Sequence, residues 1–235
     1  MLLKHSFSDF LKQPEVYRKQ FLQAYFNTGF DGYSYMGQKD SSNQYDTDLL
    51  HSFVLSEFSE TEKFPSEFRG FFNAEWTNLI SKIESIELNL IQKLNVDGLL
   101  EFYGNSVGHM LSCNYYPVVE KTVSTDALRL SKHIDVSLFT VFVFGIDEGF
   151  VFQKEHQKSE ALFASDDVLI FPGYLLEYLT NGKYKALEHQ VDFSGMPKER
   201  FSFAFFSIPK PDINIEFQGL NFSSETYFND YLSLF

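Results

Sequence analysis

A histidine and an aspartate two positions apart, His133 and Asp135, are the residues of this chain whose types and spacing best suit metal chemistry. In extended chain, residues i and i+2 project to the same side of the backbone, so one imidazole and one carboxylate would face a single ion. Polar residues 129–132 indicate a loop before the pair, and residues 136–144 (VSLFTVFVF) predict a buried strand after it. A His-x-Asp pair also arises often by chance, so it gains weight only from residues downstream.

His189 is a third candidate ligand, and the segment between it and Asp135 is long enough for several strands to intervene. Two histidines and one carboxylate leave three coordination positions open on one face of an ion. This arrangement suits a non-haem Fe(II) that must bind both a substrate and O₂. Zinc is the alternative metal, because catalytic zinc also accepts two histidines and one carboxylate. A zinc hydrolase would want a general base nearby, and the sequence identifies none.

Arg200 and Ser202 have the types and spacing to bind an acid. In a strand they point to one face, while the phenylalanines at 201, 203 and 205 point to the other. An inward-facing arginine needs an anionic partner, because an unpaired buried charge is costly. A guanidinium binds a carboxylate through two parallel hydrogen bonds, and a hydroxyl two residues on can donate another. A salt bridge to one of the chain's own acids explains the arginine equally well, and the strand alone leaves both open.

A second predicted strand, residues 110–119, carries polar side chains on one face. Ser112, Asn114 and Tyr116 share that face, so Asn114 and Tyr116 could reach into one cavity with their polar tips. Cys113 lies on the opposite face and is most simply a small buried apolar residue.

The composition indicates one globular domain over residues 1–235, long enough to bury a substantial core. Hydrophobic residues make up 44% of the chain and 28 residues are phenylalanine, which excludes general disorder. A net charge of −13 argues against a nucleic-acid partner, and no run of about 20 apolar residues predicts a membrane span. The start of the chain lacks the apolar region of a secretory signal, and a single cysteine fits a reducing compartment. We therefore expect a cytoplasmic protein.

The hydrophobic periodicity changes from helical to strand-like along the chain. Three helices are predicted, over residues 14–26, 65–94 and 226–234, and an irregular loop over residues 29–48. Turn residues separate six predicted strands: 110–119, 137–144, 149–153, 168–171, 184–193 and 201–208. This pattern predicts a mainly β fold with helical support, a jelly roll of two sheets backed by a long helix. Residues 1–109 would form a helical and loop part, and residues 110–235 a jelly-roll core carrying the metal site.

Five motifs, in this order, resemble the isopenicillin N synthase-like group of iron- and 2-oxoglutarate-dependent dioxygenases. They are Asn114-Tyr115-Tyr116-Pro117, His133-x-Asp135, LEYLTNGKYK at residues 176–185, His189 and Arg200-x-Ser202. The resemblance extends from Gly32 to the C-terminus and is weak before Met110. It implies a double-stranded β-helix, the jelly roll of this group, and three ligands to iron: His133, Asp135 and His189. It also implies that the distal carboxylate of 2-oxoglutarate is bound by Arg200 and Ser202, with Tyr116 and Asn114 assisting.

The sequence departs from the family pattern at positions outside these ligands. Gln190 stands where the family commonly has arginine, Ala186 replaces a usual serine, and Tyr174 replaces a usual acidic residue. The region before Gly32 looks shorter than in family members. We expect these departures to affect the class of substrate more than the chemistry.

From this resemblance we predict an oxygenase that uses Fe(II), 2-oxoglutarate and O₂ on a small organic molecule, and we expect it to be a monomer. Hydroxylation of the substrate is the expected outcome, and desaturation or cyclisation by the same oxidant are the alternatives. In each case succinate and CO₂ are released. One alternative is a 2-oxoglutarate-independent iron oxidase like isopenicillin N synthase or aminocyclopropane carboxylate oxidase. A non-catalytic jelly-roll binding protein is another. Residues 29–48 and 227–235 are candidate lid segments, by length and composition.

Overall fold

The computed structural model describes residues 2–36, 38, 49–118, 129–144, 150–154, 157–160, 167–192 and 198–234. Its α-helices are α1 (Leu2–Lys12), α2 (Glu15–Arg18), α3 (Arg69–Phe71), α4 (Thr77–Leu94), α5 (Leu99–Ser106), α6 (Tyr174–Leu179) and α7 (Ser224–Leu232). Its first six strands are β1 (Gly32–Ser34), β2 (His51–Ser56), β3 (Val107–Tyr116), β4 (Leu130–His133), β5 (Phe139–Phe142) and β6 (Phe150–Lys154). The remaining strands are β7 (Gln157–Glu160), β8 (Leu169–Pro172), β9 (His189–Val191), β10 (Arg200–Pro209), β11 (Asn214–Phe217) and β12 (Leu220–Ser223).

Two antiparallel sheets form the centre of the described fold. The larger has six strands in the order β1-β2-β3-β10-β5-β8, and the smaller has four in the order β4-β9-β6-β7. The hairpin β11-β12 is separate from both. The predicted mainly β jelly roll with helical support is thus confirmed.

The central strands β3 and β10 divide the molecule into a cavity side and a core side. They pair in antiparallel register with Arg200 opposite Tyr116 and Ser202 opposite Asn114. Alternate residues of β10, among them Phe203 and Phe205, are buried in the core with isoleucines of α4. The predicted facing of Arg200 and Ser202 away from the phenylalanines is confirmed, and Cys113 lies on the core side as expected.

The predicted helix over residues 65–94 forms a continuous α-helix only from Thr77. It is preceded by a 3₁₀ turn at Ser66–Phe68, by α3 and by a π turn at Phe72–Trp76. The widened π turn brings the rings of Phe72 and Trp76 into contact, with centroids 5.5 Å apart. The predicted helix over residues 14–26 is reduced to α2 and two 3₁₀ turns. No residue of α2 is fully buried, and Phe21, Leu22 and Phe26 pack against the core from the turns that follow it rather than from one continuous helix.

The predicted strand over residues 184–193 is reduced to β9. The chain before β9 is bound to α6 instead, because Glu177 accepts hydrogen bonds from the Ala186 backbone N–H and from Lys185 Nζ, both at 2.8 Å. Several predicted positions lie outside the described residues: Val119, Gly149 and Phe193 at strand ends, and residues 37, 39–48 and 235 of the candidate lids. The last helix begins two residues earlier than predicted, capped by Ser223 Oγ, which accepts from the Thr226 N–H at 3.0 Å.

Of the helices among the described residues, none combines the length and the apolar character that crossing a membrane requires.

A buried histidine joins α4 to the sheet on the core side. His109 Nδ1 lies 3.0 Å from Glu57 Oε2, and His109 Nε2 lies 3.0 Å from Glu87 Oε2. Tyr103 donates to the same oxygen of Glu87 at 2.6 Å. Burial alone would lower the pKa of His109, but hydrogen bonds and charges from the two carboxylates outweigh it and raise that pKa to about 9.

This pKa predicts a fall in stability at alkaline pH. An unfolded histidine has a pKa near 6.5, so the contribution of His109 is complete below that pH and is lost as the pH rises through 9. We expect urea unfolding to show a loss of about 3 kcal/mol between these limits. In His109→Gln this part of the loss should vanish. His51→Gln is the control, because the pKa of His51 is lowered to about 4 by burial. Equal pH profiles for wild type and His109→Gln would contradict the assignment.

Candidate metal centre and its cavity

The pairing of β4 with β9 brings two histidines together. His133 is the last residue of β4 and His189 the first of β9, and the antiparallel register sets them directly opposite each other. Their ring centroids lie 4.3 Å apart. Asp135 follows β4 by two residues, so the chain turns its carboxylate toward the same point. Residues far apart in sequence therefore converge on one point between the sheets.

The three side chains have the geometry of a ligand set. His133 Nε2 lies 3.4 Å from Asp135 Oδ1, and His189 Nε2 lies 3.7 Å from Asp135 Oδ2. The ligand atoms of the three residues all lie within 4.8 Å of one another. Ligands bonded to one ion at about 2.1 Å stand about 3 Å apart, so small side-chain shifts suffice to bind a metal.

Backbone carbonyls orient both imidazoles. His133 Nδ1 donates to the Ser131 carbonyl oxygen at 2.7 Å, and His189 Nδ1 donates to the Leu187 carbonyl oxygen at 3.1 Å. Because a carbonyl can only accept, each Nδ1 carries a proton, and in the neutral imidazole the Nε2 lone pair is the one left to bind a metal. Burial lowers the pKa of His189 to about 4, which keeps this imidazole neutral and able to bind a metal at neutral pH. The donor set therefore fits a divalent ion such as Fe(II).

Asp135 is held by hydroxyl groups and stays ionised. Its Oδ2 accepts from Thr140 Oγ1 at 2.7 Å, and Thr140 Oγ1 lies 2.8 Å from Ser137 Oγ. Burial tends to raise the pKa of Asp135, but the neighbouring imidazoles of His189 and His133 and the Thr140 hydroxyl outweigh it, and the pKa is lowered. The side chain is 7% exposed, so its charge is directed at the site rather than at solvent.

Two helices fix the backbone around Asp135. At the start of α6 the Tyr174 N–H donates to the Asp135 carbonyl oxygen at 2.7 Å. From α7, Tyr231 donates its hydroxyl to the Ile134 carbonyl oxygen at 2.8 Å, and Tyr227 donates to the carbonyl oxygen of Val136. The backbone of the candidate ligand is therefore tied on both sides.

Gly173 is packed so closely against this loop that a side chain does not fit. A Cβ there would collide with the Ser137 carbonyl oxygen and stand 2.9 Å from the Asp135 carbonyl oxygen. We expect Gly173→Ala to destabilise the protein by about 2 kcal/mol and to weaken Mn(II) binding about tenfold, because Asp135 is displaced. Thermal unfolding and Mn(II) titration measure both effects. Gly104→Ala is the matched control, since that exposed position in α5 has open space around it. Unchanged Mn(II) affinity in Gly173→Ala would contradict this role.

The four residues expected to bind an acid lie at one end of the same cavity. Arg200 is 2% exposed, and its guanidinium lies over the ring of Tyr116, 4.9 Å from the centroid. Asn114 Oδ1 accepts from Ser112 Oγ at 3.1 Å, so the amide NH₂ of Asn114 is left to donate. Ser202 is buried on the cavity face beside Asn114. The structure thus places all seven predicted site residues in the wall of one cavity.

This cavity has a volume of about 410 Å³, within the range of small-molecule sites. Part of its wall comes from both candidate lid segments: Gly29 and Phe30 from one, and Phe228, Tyr231 and Leu232 from the other. Closure of either segment stays a prediction. Gln23 and Thr28 also line the cavity and carried no motif by which the sequence could identify them.

Comparison with known proteins identifies a family match across the core of the chain. Residues 107–209 match the family model described as the 2OG-Fe(II) oxygenase superfamily. Jasmonate-induced oxygenase 2 of Arabidopsis thaliana is 31% identical over 175 residues, which cover 69% of this chain and 44% of that protein. The match thus spans less than half the length of this relative.

Solved structures resemble the whole fold. A full-length protein of Neurospora crassa, crystallised in complex with alpha-KG, superposes with a TM-score of 0.76 at 18% identity, covering 99% of this chain and 81% of that one. The crystal structure of JOX2 in complex with 2OG, Fe and JA has a TM-score of 0.75 at 23% identity, covering 97% and 72%. At these identities the likeness concerns the fold.

Proposed function

Because the chain belongs to the 2OG-Fe(II) oxygenase superfamily, we propose that it is an Fe(II)- and 2-oxoglutarate-dependent oxygenase of a small organic molecule. The substrate is hydroxylated, desaturated or cyclised. The observation that carries the proposal is the convergence of two histidines and one aspartate, with ligand atoms within 4.8 Å, in a cavity that Arg200 also lines. The Neurospora crassa protein was also crystallised with thymine, and JOX2 with JA, which supports a small-molecule substrate.

The proposed roles divide the cavity wall between metal and co-substrate. Bound iron, 2-oxoglutarate and O₂ supply the oxidising chemistry, in which 2-oxoglutarate is converted to succinate and CO₂. His133, Asp135 and His189 would hold the metal, and as three protein ligands they would leave coordination positions for the co-substrate and O₂. Thr140 keeps the Asp135 carboxylate in place by donating to Oδ2.

Arg200 anchors the co-substrate at the far end of the cavity. In this proposal its guanidinium binds the distal carboxylate of 2-oxoglutarate through two hydrogen bonds, and the Ser202 hydroxyl donates a third. The Tyr116 ring, over which the guanidinium lies, orients it, and the amide NH₂ of Asn114 offers a further donor. The phenylalanines at 142, 150 and 206 line the space between and exclude water from it.

We further propose that the enzyme acts as a cytoplasmic monomer without nucleic-acid or membrane partners. The net charge of −13 and the single, buried cysteine support this.

The proposal is tested by counting the reaction's products. Protein loaded with Fe(II) and 2-oxoglutarate without air is exposed to O₂, and the succinate formed and the O₂ consumed are measured. We expect succinate and consumed O₂ in equal amounts, and no reaction when either Fe(II) or 2-oxoglutarate is left out. The reaction should be slow without a substrate and faster with one. O₂ uptake without 2-oxoglutarate would instead favour the iron oxidase in which Arg200 binds a substrate carboxylate. Failure to bind Fe(II) or Mn(II) would favour a non-catalytic binding protein.

A further inference from the structure

The cavity continues past the candidate metal ligands, away from Arg200. Along β10, Arg200, Ser202, Ala204, Phe206 and Ile208 all line it. Phe206 pairs with Thr140, the residue that holds Asp135, so the metal ligands lie between the Arg200 end and the Ile208 end. The co-substrate occupies the Arg200 end in the function proposed above. The Ile208 end is therefore left for the substrate.

This substrate end is mainly apolar. Ile208 and Met110, which pairs with Phe206, lie at this end, and Phe30, Val54, Val136 and Phe228 are further apolar side chains of the cavity wall. Across the lining residues that the structure describes, the acidic and basic side chains apart from histidine are Asp135 and Arg200, which the metal site and the co-substrate use. Among those residues, the substrate end thus has no lysine or arginine to neutralise an acid. A substrate carboxylate would lose its hydration there without a described cation in return.

Thr28 supplies a polar group at this end, because it contacts Asp31, and Asp31 binds Ser56, which pairs with Met110 opposite Phe206. The hydrogen bonds of Thr28 fix what it can offer. Thr28 Oγ1 donates its proton to Asp31 Oδ2 at 3.0 Å and accepts from the Asp31 backbone N–H at 3.1 Å. A hydroxyl has one proton and two lone pairs, so a single lone pair remains. Thr28, a residue of the cavity wall, can therefore only accept a further hydrogen bond through Oγ1 and cannot donate one.

Asp31 holds this orientation firmly. It is fully buried, and its Oδ2 also accepts from Ser56 Oγ at 2.7 Å and from Ser59 Oγ at 2.6 Å. Whether Asp31 is ionised or carries a proton on Oδ1, Oδ2 remains an acceptor and the Thr28 proton stays directed toward it. An ionised Asp31 behind Thr28 would also repel a substrate carboxylate.

We propose that the substrate is a neutral, mainly apolar molecule whose hydroxyl or N–H group donates a hydrogen bond to Thr28 Oγ1, and that it is not a carboxylic acid. This inference rests on the oxygenase function proposed above. Thr28 is then a specificity-determining residue: the apolar walls bind the body of the substrate, and the acceptor selects its orientation toward the metal.

Matched ligands test the proposal. The protein is loaded with 2-oxoglutarate and with Mn(II) in place of Fe(II), so that no turnover occurs. It is then titrated calorimetrically with beta-naphthol, its methyl ether and beta-naphthoate. These three probes share one apolar skeleton. The naphthol can donate a hydrogen bond, the ether can only accept one, and the naphthoate carries a negative charge. We expect the naphthol to bind about tenfold more tightly than the ether, and the naphthoate to bind most weakly. A naphthol that binds no better than its ether, or a naphthoate that binds best, overturns the proposal.

Variants link the preference to Thr28. Thr28→Val should abolish the difference between naphthol and ether, while Thr28→Ser, which keeps the hydroxyl, should retain it. Ser59→Ala is the matched control, because it removes another hydroxyl from Asp31 at a position outside the cavity wall. If Thr28→Val still bound the naphthol more tightly than the ether, the acceptor of the naphthol hydroxyl would be another residue and the proposed role of Thr28 would be wrong. The 2-oxoglutarate turnover of the wild-type protein tests the oxygenase function separately, so the two proposals can fail independently.

Discussion

Replacing His189 with glutamine is expected to lower 2-oxoglutarate turnover about a thousandfold and Mn(II) affinity at least about a hundredfold. The imidazole lies between the rings of Phe150 and Phe171, with centroids 5.2 and 5.1 Å away. Glutamine fills much of this space, so the fold is expected to persist. It lacks a strongly binding nitrogen, however, and the ligand set is reduced to His133 and Asp135. Succinate formation and Mn(II) titration by electron paramagnetic resonance measure the two losses.

His5→Gln is the control for this variant, because His5 is exposed on α1. It should leave turnover, Mn(II) affinity and melting temperature unchanged. A His189→Gln protein that melts like wild type and still binds Mn(II) with full affinity would remove His189 from the proposed ligand set.

Replacing Arg200 with methionine is expected to raise the KM for 2-oxoglutarate about a hundredfold while leaving Mn(II) affinity nearly unchanged. The buried guanidinium supplies two charge-assisted hydrogen bonds, whose loss costs about 3 kcal/mol. Methionine retains the apolar stem against Tyr116, so the comparison isolates the charged group. Initial rates of succinate formation over a range of 2-oxoglutarate concentrations give the KM.

Two further variants sharpen this test. Arg200→Lys keeps the charge but loses the planar fork, so its KM should lie between those of wild type and Arg200→Met. Arg69→Met removes an exposed arginine from α3 and should change nothing. An unchanged KM in Arg200→Met, together with a lower melting temperature, would indicate that Arg200 pairs with an acid of the chain itself.

Local periodicity predicted which side chains face the cavity, because strand geometry fixes it. In β10 the alternation alone separated Arg200 and Ser202 from the phenylalanines of the core. The same rule placed Asn114 and Tyr116 on the cavity side of β3. The pairing of β4 with β9 could not be derived in this way, since it joins segments far apart in sequence. His189 was therefore found by residue type and family resemblance rather than by geometry.

Among the elements of the first half that were not predicted, α1 and β2 were missed for different reasons. The helix α1 buries Leu3, Phe7 and Phe10, whose spacings of four and three are a helical signal that the sequence contained. The strand β2 is buried on both faces: Ser52 contacts Ser112 across the sheet, while Phe53 lies in the core. A strand buried on both sides has no alternation of polar and apolar residues, so periodicity gave no signal.

The substrate end of the cavity was the least predictable part. Thr28 and Phe30 reach it from irregular chain before β1, where no period applies. Phe228 and Tyr231 reach it from α7. The sequence predicted this helix but not the position in which it packs against the rest of the fold. Docking depends on contacts such as the hydroxyl of Tyr231 on the Ile134 carbonyl oxygen, and these arise only in the folded chain.

The most direct test is a crystal structure of the protein grown without air with Fe(II) and 2-oxoglutarate, with the iron located by anomalous scattering. We expect one strong anomalous peak bonded to His133 Nε2, His189 Nε2 and a carboxylate oxygen of Asp135, and 2-oxoglutarate extending from it to Arg200 and Ser202. An iron bound elsewhere, or a 2-oxoglutarate whose distal carboxylate lies away from Arg200, would contradict the account.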